Sequence, residues 1–189
     1  MIVLLKILIA WLLADFITGV VHWFQDWYSD ESQALDLLVR VFGESEDLHH
    51  QKPTAMLVNS GWVNMRPAAL VGWPLAALLY CLGCPFWVCL VPFFAAFGNL
   101  IHRWSHMPRR RLPRWIRGLQ EFGLFLSAAA HDEHHRSMKQ LVPRHLAGCK
   151  FCGMTDWLNP WLDDFGFWHG CSRCLRFIGL KTTRERRGE

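Results

Sequence analysis

Histidine is the residue type that stands out in this 189-residue chain, which contains ten of them. His102 and His106 are four positions apart, so a helix places both on one face. His131, His134 and His135 follow the i, i+3, i+4 spacing of a single helical stripe. Neutral imidazole nitrogens are good ligands for iron, zinc or copper. His169 is set aside as an isolated residue. The other nine rings are more than one metal ion could bind, so the pattern predicts a centre for two metal ions.

A polar stripe in the first apolar stretch of the chain could support the same metal centre. Five of its residues share one helical face: Asp15, Thr18, Gly19, His22 and Asp26. A carboxylate inside an apolar span costs about 2.5–3.5 kcal/mol on insertion scales, so Asp15 needs a partner inside the protein. We expect Asp15 and Asp26 to hold liganding imidazoles through their second ring nitrogen. Asp132 and Glu133 are further candidates for this role, and a solvated helix face is the equal alternative for both.

The elements that position these residues are predicted to be apolar helices. Hydrophobic residues make up 52% of the chain and charged residues 19%, whereas soluble domains carry about a quarter charged residues. This composition excludes a disordered chain, a collagen-like repeat and a small disulfide scaffold. As a helix, residues 1–23 reach about 35 Å, enough to cross a hydrocarbon layer of about 30 Å. Residues 67–101 carry no charge and contain a turn signal at 81–85, which predicts a helical hairpin.

We therefore predict an all-α integral membrane protein with a single domain, residues 1–180, and a disordered tail, residues 181–189. Its parts are about three transmembrane spans, near 1–23, 58–80 and 86–101, and a cytosolic helical cap, near 102–180, that bears the histidines. The orientation follows from basic residues, whose excess marks the cytoplasmic side: Arg40, Lys52, Arg103, Arg109, Arg110, Arg111, Arg114 and Arg117. The chain starts at its first span without a transit peptide, which favours a bacterial inner membrane, or the endoplasmic reticulum in a eukaryote.

Two Cys-x-x-Cys pairs near the C-terminus form a separate candidate site. Cys149 and Cys152 are separated from Cys171 and Cys174 by 18 residues, a spacing within the usual range for a four-thiolate zinc site. Thiols on a cytosolic face stay reduced, which favours a metal over a disulfide. A structural zinc site and four ordinary surface thiols remain the two alternatives.

Seven short motifs follow one another between Ala14 and Trp168. They are Ala14–Trp23 (ADFITGVVHW), His49–Ala55 (HHQKPTA), Asn99–His106 (NLIHRWSH), Leu112–Trp115 (LPRW), His131–His135 (HDEHH), Trp157–Asn159 (WLN) and Phe165–Trp168 (FGFW). In this order they resemble the membrane lipid desaturase family, which includes plasmanylethanolamine desaturase and a plastid phosphatidylglycerol desaturase. Each motif is short, and the ordered set is what makes the resemblance specific.

The resemblance implies a non-haem di-iron centre that uses O2 and two electrons to remove two hydrogens from the alkyl or acyl chain of a phospholipid, with a vinyl ether among the products. The iron ligands that it implies are His22, His49, His50, His102, His106, His131, His134, His135 and His145. Asn99, one turn before His102, is implied as a group behind the ligands. The lipid chain is expected in an apolar tunnel lined from Trp62 to Phe97.

An electron source outside the chain is needed, because the sequence has no dinucleotide fingerprint and no haem-attachment motif. A cytochrome b5, or a ferredoxin with its reductase, would serve, and the arginines from Arg103 to Arg117 could dock this acidic carrier or a phospholipid headgroup. No groove-reading motif supports a nucleic-acid partner. Two other functions stay open: a di-iron lipid hydroxylase, and a non-catalytic membrane protein that binds metal or haem. A zinc protease is disfavoured because no His-Glu-x-x-His motif occurs.

Overall fold

The computed structural model describes residues 1–28, 52, 54–139, 149–182 and 185, and all structural statements concern this part of the chain. It is helical, with no strand among these residues, which confirms the predicted all-α class. The α-helices are α1 (Ile2–Tyr28), α2 (Gly61–Cys81), α3 (Phe86–Ala95), α4 (Gly98–Ser105), α5 (Arg114–Glu121), α6 (Ala128–Lys139), α7 (Asn159–Asp164) and α8 (Phe167–Phe177), with 3₁₀ turns at Ala55–Leu57 and Arg109–Arg111.

Helix α1 is long and apolar enough to cross a membrane. Its 27 residues span about 40 Å, and its apolar residues between positions 2 and 9 are exposed. Helices α3 and α4 pass the same test only together, as one span bent by 43°. By length and composition, the described residues therefore contain one candidate span, or two if the bent pair counts as one.

The predicted hairpin forms, but its second arm is broken. Helix α2 begins after Ser60, whose hydroxyl accepts a hydrogen bond from the Val63 N–H, and helix α3 ends at Ala95. The Phe97 N–H donates to the Phe94 carbonyl at 2.9 Å, an i to i−3 bond that tightens the last turn. The predicted span 86–101 is thus two helices, bent by 43° at the break.

Helix α3 packs along α1, and α4 touches α1 closely at its first residue, Gly98, which has no side chain. A Cβ atom at this position would lie 2.6 Å from the Thr18 Cγ2 atom. This contact places His102 beside His22, with ring centroids 5.1 Å apart.

The first turn of helix α8 lies against the second half of α1. The ring centroid of Phe167 lies 5.4 Å from that of Phe16, and Trp168 lies 6.1 Å from Trp23. One turn later on α1, Trp27 contacts His169 at 5.3 Å. The two helices enclose an aromatic core together with residues 149–152.

Candidate metal centre

Four imidazole nitrogens meet at one point between α4 and α6. The Nε2 atom of His131 lies 2.7 Å from that of His102, 2.9 Å from that of His106 and 3.0 Å from that of His135. Neighbouring nitrogens around one metal ion at about 2.1 Å are also about 3 Å apart. These residues, the four-histidine cluster, therefore have the spacing of ligands that share an ion.

A second group of donors lies between α1 and α6. The Asp26 carboxylate is 3.7 Å from His22 Nε2 and 3.3 Å from His134 Nε2, and the side chains of Asp26 and His134 are fully buried. The ligand atoms of this His–Asp cluster all lie within 4.8 Å of one another. Asp26 was predicted to lie behind the ligands, and its carboxylate lies close enough to both imidazoles to be a candidate ligand itself.

The two clusters are neighbours and share helix α6. His131 and His135 face one cluster, while His134 faces the other. Ring centroids of His131 and His134 are 5.4 Å apart, and those of His22 and His131 are 6.3 Å apart. The stripe that the sequence predicted as one surface is divided between two adjacent sites.

His131 lies at the middle of the four-histidine cluster and is buried. Burial, and then the positive charge that the neighbouring imidazoles would carry, hold the pKa of His131 well below its usual range. The ring is therefore neutral at physiological pH, and neutral imidazole is the form that binds metal ions.

The two histidines of the His–Asp cluster are oriented by the backbone of residues 149–155, which we call the strap. His22 Nδ1 lies 2.9 Å from the Phe151 carbonyl oxygen, and His134 Nδ1 is hydrogen-bonded to the Cys149 carbonyl oxygen. A carbonyl oxygen only accepts hydrogen bonds, so each Nδ1 carries the proton. The Nε2 lone pair of each ring then points towards Asp26. Metal-binding histidines are commonly oriented in this way, by a hydrogen bond from the ring nitrogen that does not bind the metal.

Asp15 holds the strap and not an imidazole, so that part of the prediction is wrong. Its carboxylate accepts hydrogen bonds from the Met154 N–H at 2.9 Å, the Thr155 N–H at 3.2 Å and the Thr155 hydroxyl at 2.5 Å. The partner that Asp15 needed in an apolar environment is therefore backbone that is about 140 positions away in sequence.

Two further residues fix the strap against α1. A Cβ atom at Gly19 would lie 2.9 Å from Cys152 Sγ and 3.2 Å from the Cys152 nitrogen, so only glycine allows this approach. Asn159 accepts from the Cys152 N–H at 2.9 Å and donates to the Cys152 carbonyl at 3.2 Å. The sequence placed Asn159 in a family-like motif, but nothing in that motif indicated the strap.

The remaining predicted site residues lie beside the clusters, on the exposed face of α6 or outside the described residues. Asn99 lies beside His102 and donates to the Asn64 carbonyl at 3.4 Å. Asp132 and Glu133 are exposed, and Glu133 forms an ion pair with Lys150 of the strap, which agrees with the solvated-face alternative. His49, His50 and His145 lie outside the described residues.

The geometry does not support the predicted zinc site. Cys149 and Cys152 are buried in the aromatic core, whereas Cys171 is half-buried and Cys174 exposed. Within the described part of the chain, the groups that could hold a metal contain histidine and aspartate and no cysteine. Burial also raises the pKa of the Cys152 thiol, which disfavours the thiolate that zinc requires.

An apolar cavity of about 530 Å³ reaches the centre from between α1, α2 and α3. Its wall includes Leu13, Val71, Leu75 and Val91, and also His22, Gln25, Asn99 and His102. Unlike the tunnel predicted from the hairpin alone, one side of the cavity is formed by α1.

Comparison with known proteins identifies relatives over nearly the whole chain. A lipid desaturase domain matches residues 11–185. A probable fatty acid desaturase of Acanthamoeba polyphaga mimivirus is 28% identical over 94% of this chain and 84% of its own length. Plasmanylethanolamine desaturase 1 of Mus musculus is 30% identical over 88% of the chain, and plasmanylethanolamine desaturase of Myxococcus xanthus is 32% identical over 89%. The chain spans 62% and 59% of the lengths of these two proteins. No solved structure matches the chain significantly.

Proposed function

We propose, because the chain belongs to the lipid desaturase family, that it is a membrane di-iron desaturase that introduces a double bond into the alkyl or acyl chain of a phospholipid. The observation that carries this proposal is that the apolar cavity reaches both clusters, at His22 and at His102. A lipid chain in this cavity would lie in an apolar environment up to the point where the donor atoms converge.

The donor set fits a pair of iron ions. The four-histidine cluster offers four nitrogens to one ion, and the His–Asp cluster offers two nitrogens and a carboxylate to the other. Imidazole with carboxylate is a donor combination that suits iron. When bound, the iron pair supplies the activation of O2 needed to remove hydrogen from saturated carbons. His49, His50 and His145 are proposed as additional ligands.

The side chains around the cavity bind and orient the substrate. Leu75, Val91 and their neighbours exclude water along the lipid chain, which favours oxidation of the lipid over side reactions. Gln25 and Asn99 are polar positions on the wall next to the histidines. This apolar cavity would hold the hydrocarbon chain with one segment next to the centre.

Desaturation needs electrons that this chain does not hold. Two hydrogens leave the lipid, and together with two more electrons and two protons they reduce one O2 to two waters. We propose that a cytochrome b5, or a ferredoxin with its reductase, delivers the two electrons at the exposed arginines Arg110, Arg111 and Arg114.

The proposed arrangement in the membrane has three spans: α1, α2 and the bent pair α3–α4. The exposed apolar surface of α1 and the absence of charged residues from 67 to 101 support this arrangement. The cap then faces the cytosol, in a bacterial inner membrane or in the endoplasmic reticulum.

For the substrate we favour an alkyl ether phospholipid of the plasmanylethanolamine type, whose product is a vinyl ether. Support comes from the two relatives named plasmanylethanolamine desaturase, at 30% and 32% identity. Lipids extracted from a host that expresses the chain should contain a species lighter by two hydrogens that releases aldehyde in acid. A species heavier by one oxygen would indicate the hydroxylase instead.

His131→Ala and His169→Ala are a matched pair for this experiment. His131 lies at the middle of the four-histidine cluster, whereas His169 packs against Trp27 outside both clusters. The new lipid should disappear with His131→Ala and persist with His169→Ala. Equal product from both variants would contradict the proposal.

A further inference from the structure

The apolar cavity has two unlike ends. The polar side chains of its wall all lie near the two clusters, at Thr18, His22, Gln25, Asn99 and His102. From there the cavity extends along α2 and α3, where no wall residue has a polar side chain apart from the indole of Trp87. The wall residues nearest to the hairpin turn are Leu79, Trp87 and Val88. A molecule with one polar end and a long apolar part therefore matches the cavity in one direction only.

Close contacts at two glycines fix how the hairpin lies along the site. At the start of α2, a Cβ atom at Gly61 would lie 2.8 Å from Cδ1 of Leu100 on α4. In the middle of α2, a Cβ atom at Gly72 would lie 2.5 Å from the Pro92 carbonyl oxygen of α3. Helices α2 and α3 are thus antiparallel, and the turn between them is separated from α4 by the whole length of α3.

The length of the cavity is close to that of a lipid chain. On α2 its wall runs from Ala68 to Leu79, which is about 16 Å along the helix. One leaflet of a hydrocarbon layer of about 30 Å is about 15 Å thick, and one lipid chain fills this depth. The cavity therefore has room for a whole chain between the clusters and the turn.

We propose that Leu79, Trp87 and Val88 bind the methyl end of the lipid chain and so set the longest chain that the site accepts. We call these three residues the methyl-end site. The polar end of the lipid then lies beside Gln25 and Asn99. The proposal rests on the proposed function, since it takes the phospholipid substrate as the occupant, and it adds the direction in which the chain lies and the residues that select its length.

The physical basis of the selection is burial of methylene groups. Each methylene that enters the apolar cavity strengthens binding by about four-fold. A chain that is longer than the distance from the clusters to the methyl-end site gains nothing from its extra methylenes, because the added length displaces its polar end from Gln25 and Asn99.

Two photoreactive lipids test the direction in the unaltered full chain. Both are alkyl ether phosphatidylethanolamines with a sixteen-carbon chain, and each carries a diazirine, either beside the methyl end or beside the ether oxygen. The purified protein is irradiated with each lipid, and the labelled residues are located by mass spectrometry. Only labelling that is removed by an excess of the same lipid without diazirine is counted.

The methyl-end probe should label residues 79–88, and the ether-end probe should label residues near Gln25 and Asn99, each with at least about five-fold preference. Equal labelling of residues 79–88 by both probes, or stronger labelling there by the ether-end probe, would overturn the proposal. Lack of any competed labelling would do the same. This test needs no substitution, so it stands even if a variant fails to fold.

Leu79→Trp and Trp87→Ala test the length limit. Phe86→Ala is the matched control, because Phe86 is next to Trp87 but is 66% exposed and is not part of the cavity wall. Ether lipids with chains of fourteen, sixteen, eighteen and twenty carbons compete for each purified protein, and the retained lipids are measured by mass spectrometry.

The added indole of Leu79→Trp should lower retention of the eighteen-carbon chain relative to the fourteen-carbon chain by at least about ten-fold. Trp87→Ala should shift retention towards the twenty-carbon chain, and Phe86→Ala should leave the profile unchanged. Identical profiles for all these proteins would contradict the proposal. Neither experiment depends on iron or on turnover. Retained lipid that never acquires a double bond would count against the proposed function alone, so the two failures are distinguishable.

Discussion

The four-histidine cluster and the His–Asp cluster are adjacent, yet they are built in different ways. The first takes its ligands from α4 and α6 through pairs spaced by four residues, so helix periodicity alone brings each pair together. The second joins α1 to α6, and its rings are oriented by strap carbonyls. The first cluster therefore depends on local structure, and the second depends on tertiary contacts made by residues that belong to neither cluster.

The largest effect is expected from removing the ring that the four-histidine cluster is built around. His131→Ala takes away the nitrogen that lies within 3.0 Å of three others. Desaturation should fall by at least about 100-fold, more than the loss of an outer partner usually causes. Product analysis by mass spectrometry and iron analysis of the purified chain measure this, with His169→Ala as the control.

Asp26→Asn should weaken the His–Asp cluster and leave the four-histidine cluster intact. The change removes the negative charge between His22 and His134 but keeps the shape of the side chain. Iron per chain is expected to fall from about two to about one, since the four-histidine cluster keeps all its nitrogens. Unchanged iron content would mean that Asp26 does not contribute a ligand.

Asp15→Asn tests whether the strap controls the His–Asp cluster from a distance. An amide keeps one oxygen acceptor but places an NH2 group against donors of Thr155. A stability loss of about 1–3 kcal/mol is expected for the unsatisfied groups, with roughly ten-fold lower activity and reduced occupancy of the second iron.

Asp132→Asn is the matched control, because Asp132 is an exposed carboxylate on α6. It should leave both stability and iron content unchanged. If Asp15→Asn lowers stability without changing the iron content, the strap stabilises the fold but does not orient the ligands.

The smallest effect is expected at the outer edge of the strap, where Glu133 pairs with Lys150. The hydrogen bond and positive charge of Lys150 lower the pKa of Glu133 below its usual 4.5. The pair therefore adds stability above the unfolded pKa, and this contribution is lost as the pH falls through the lower folded value.

Because Glu133 is largely exposed, the pair contributes about 0.2–1 kcal/mol. Glu133→Gln should reduce the unfolding free energy by that amount at pH 7 and by less at an acidic pH below 4.5, as measured by chemical denaturation in detergent. A loss that is the same at both pH values would show that charge is not the cause.

Sequence reasoning succeeded where the contacts are local. The spacing of His102 with His106, and of His131 with His135, was enough to predict that imidazoles converge. It failed where the partner is distant in sequence, because the position of Asp15 indicated that it has a partner but could not identify Thr155. Of the two alternatives for the Cys-x-x-Cys pairs, the zinc site is not supported, and their spacing could not reveal that Cys152 is packed beneath Gly19.

The break in the hairpin was also beyond a pattern of apolar residues. Residues 86–101 are uncharged, and the contact of Gly98 with Thr18, which lets the start of α4 approach α1, joins residues that are far apart in sequence.

Helix α6 links the two clusters through consecutive residues, His134 and His135. Successive side chains on a helix are separated by about 100°, so each histidine keeps its own direction only while the turn from His131 to His135 retains its length. Inserting or deleting one residue there would rotate one ligand set relative to the other. This turn should therefore tolerate changes of side chain at Asp132 far better than any change in the number of residues.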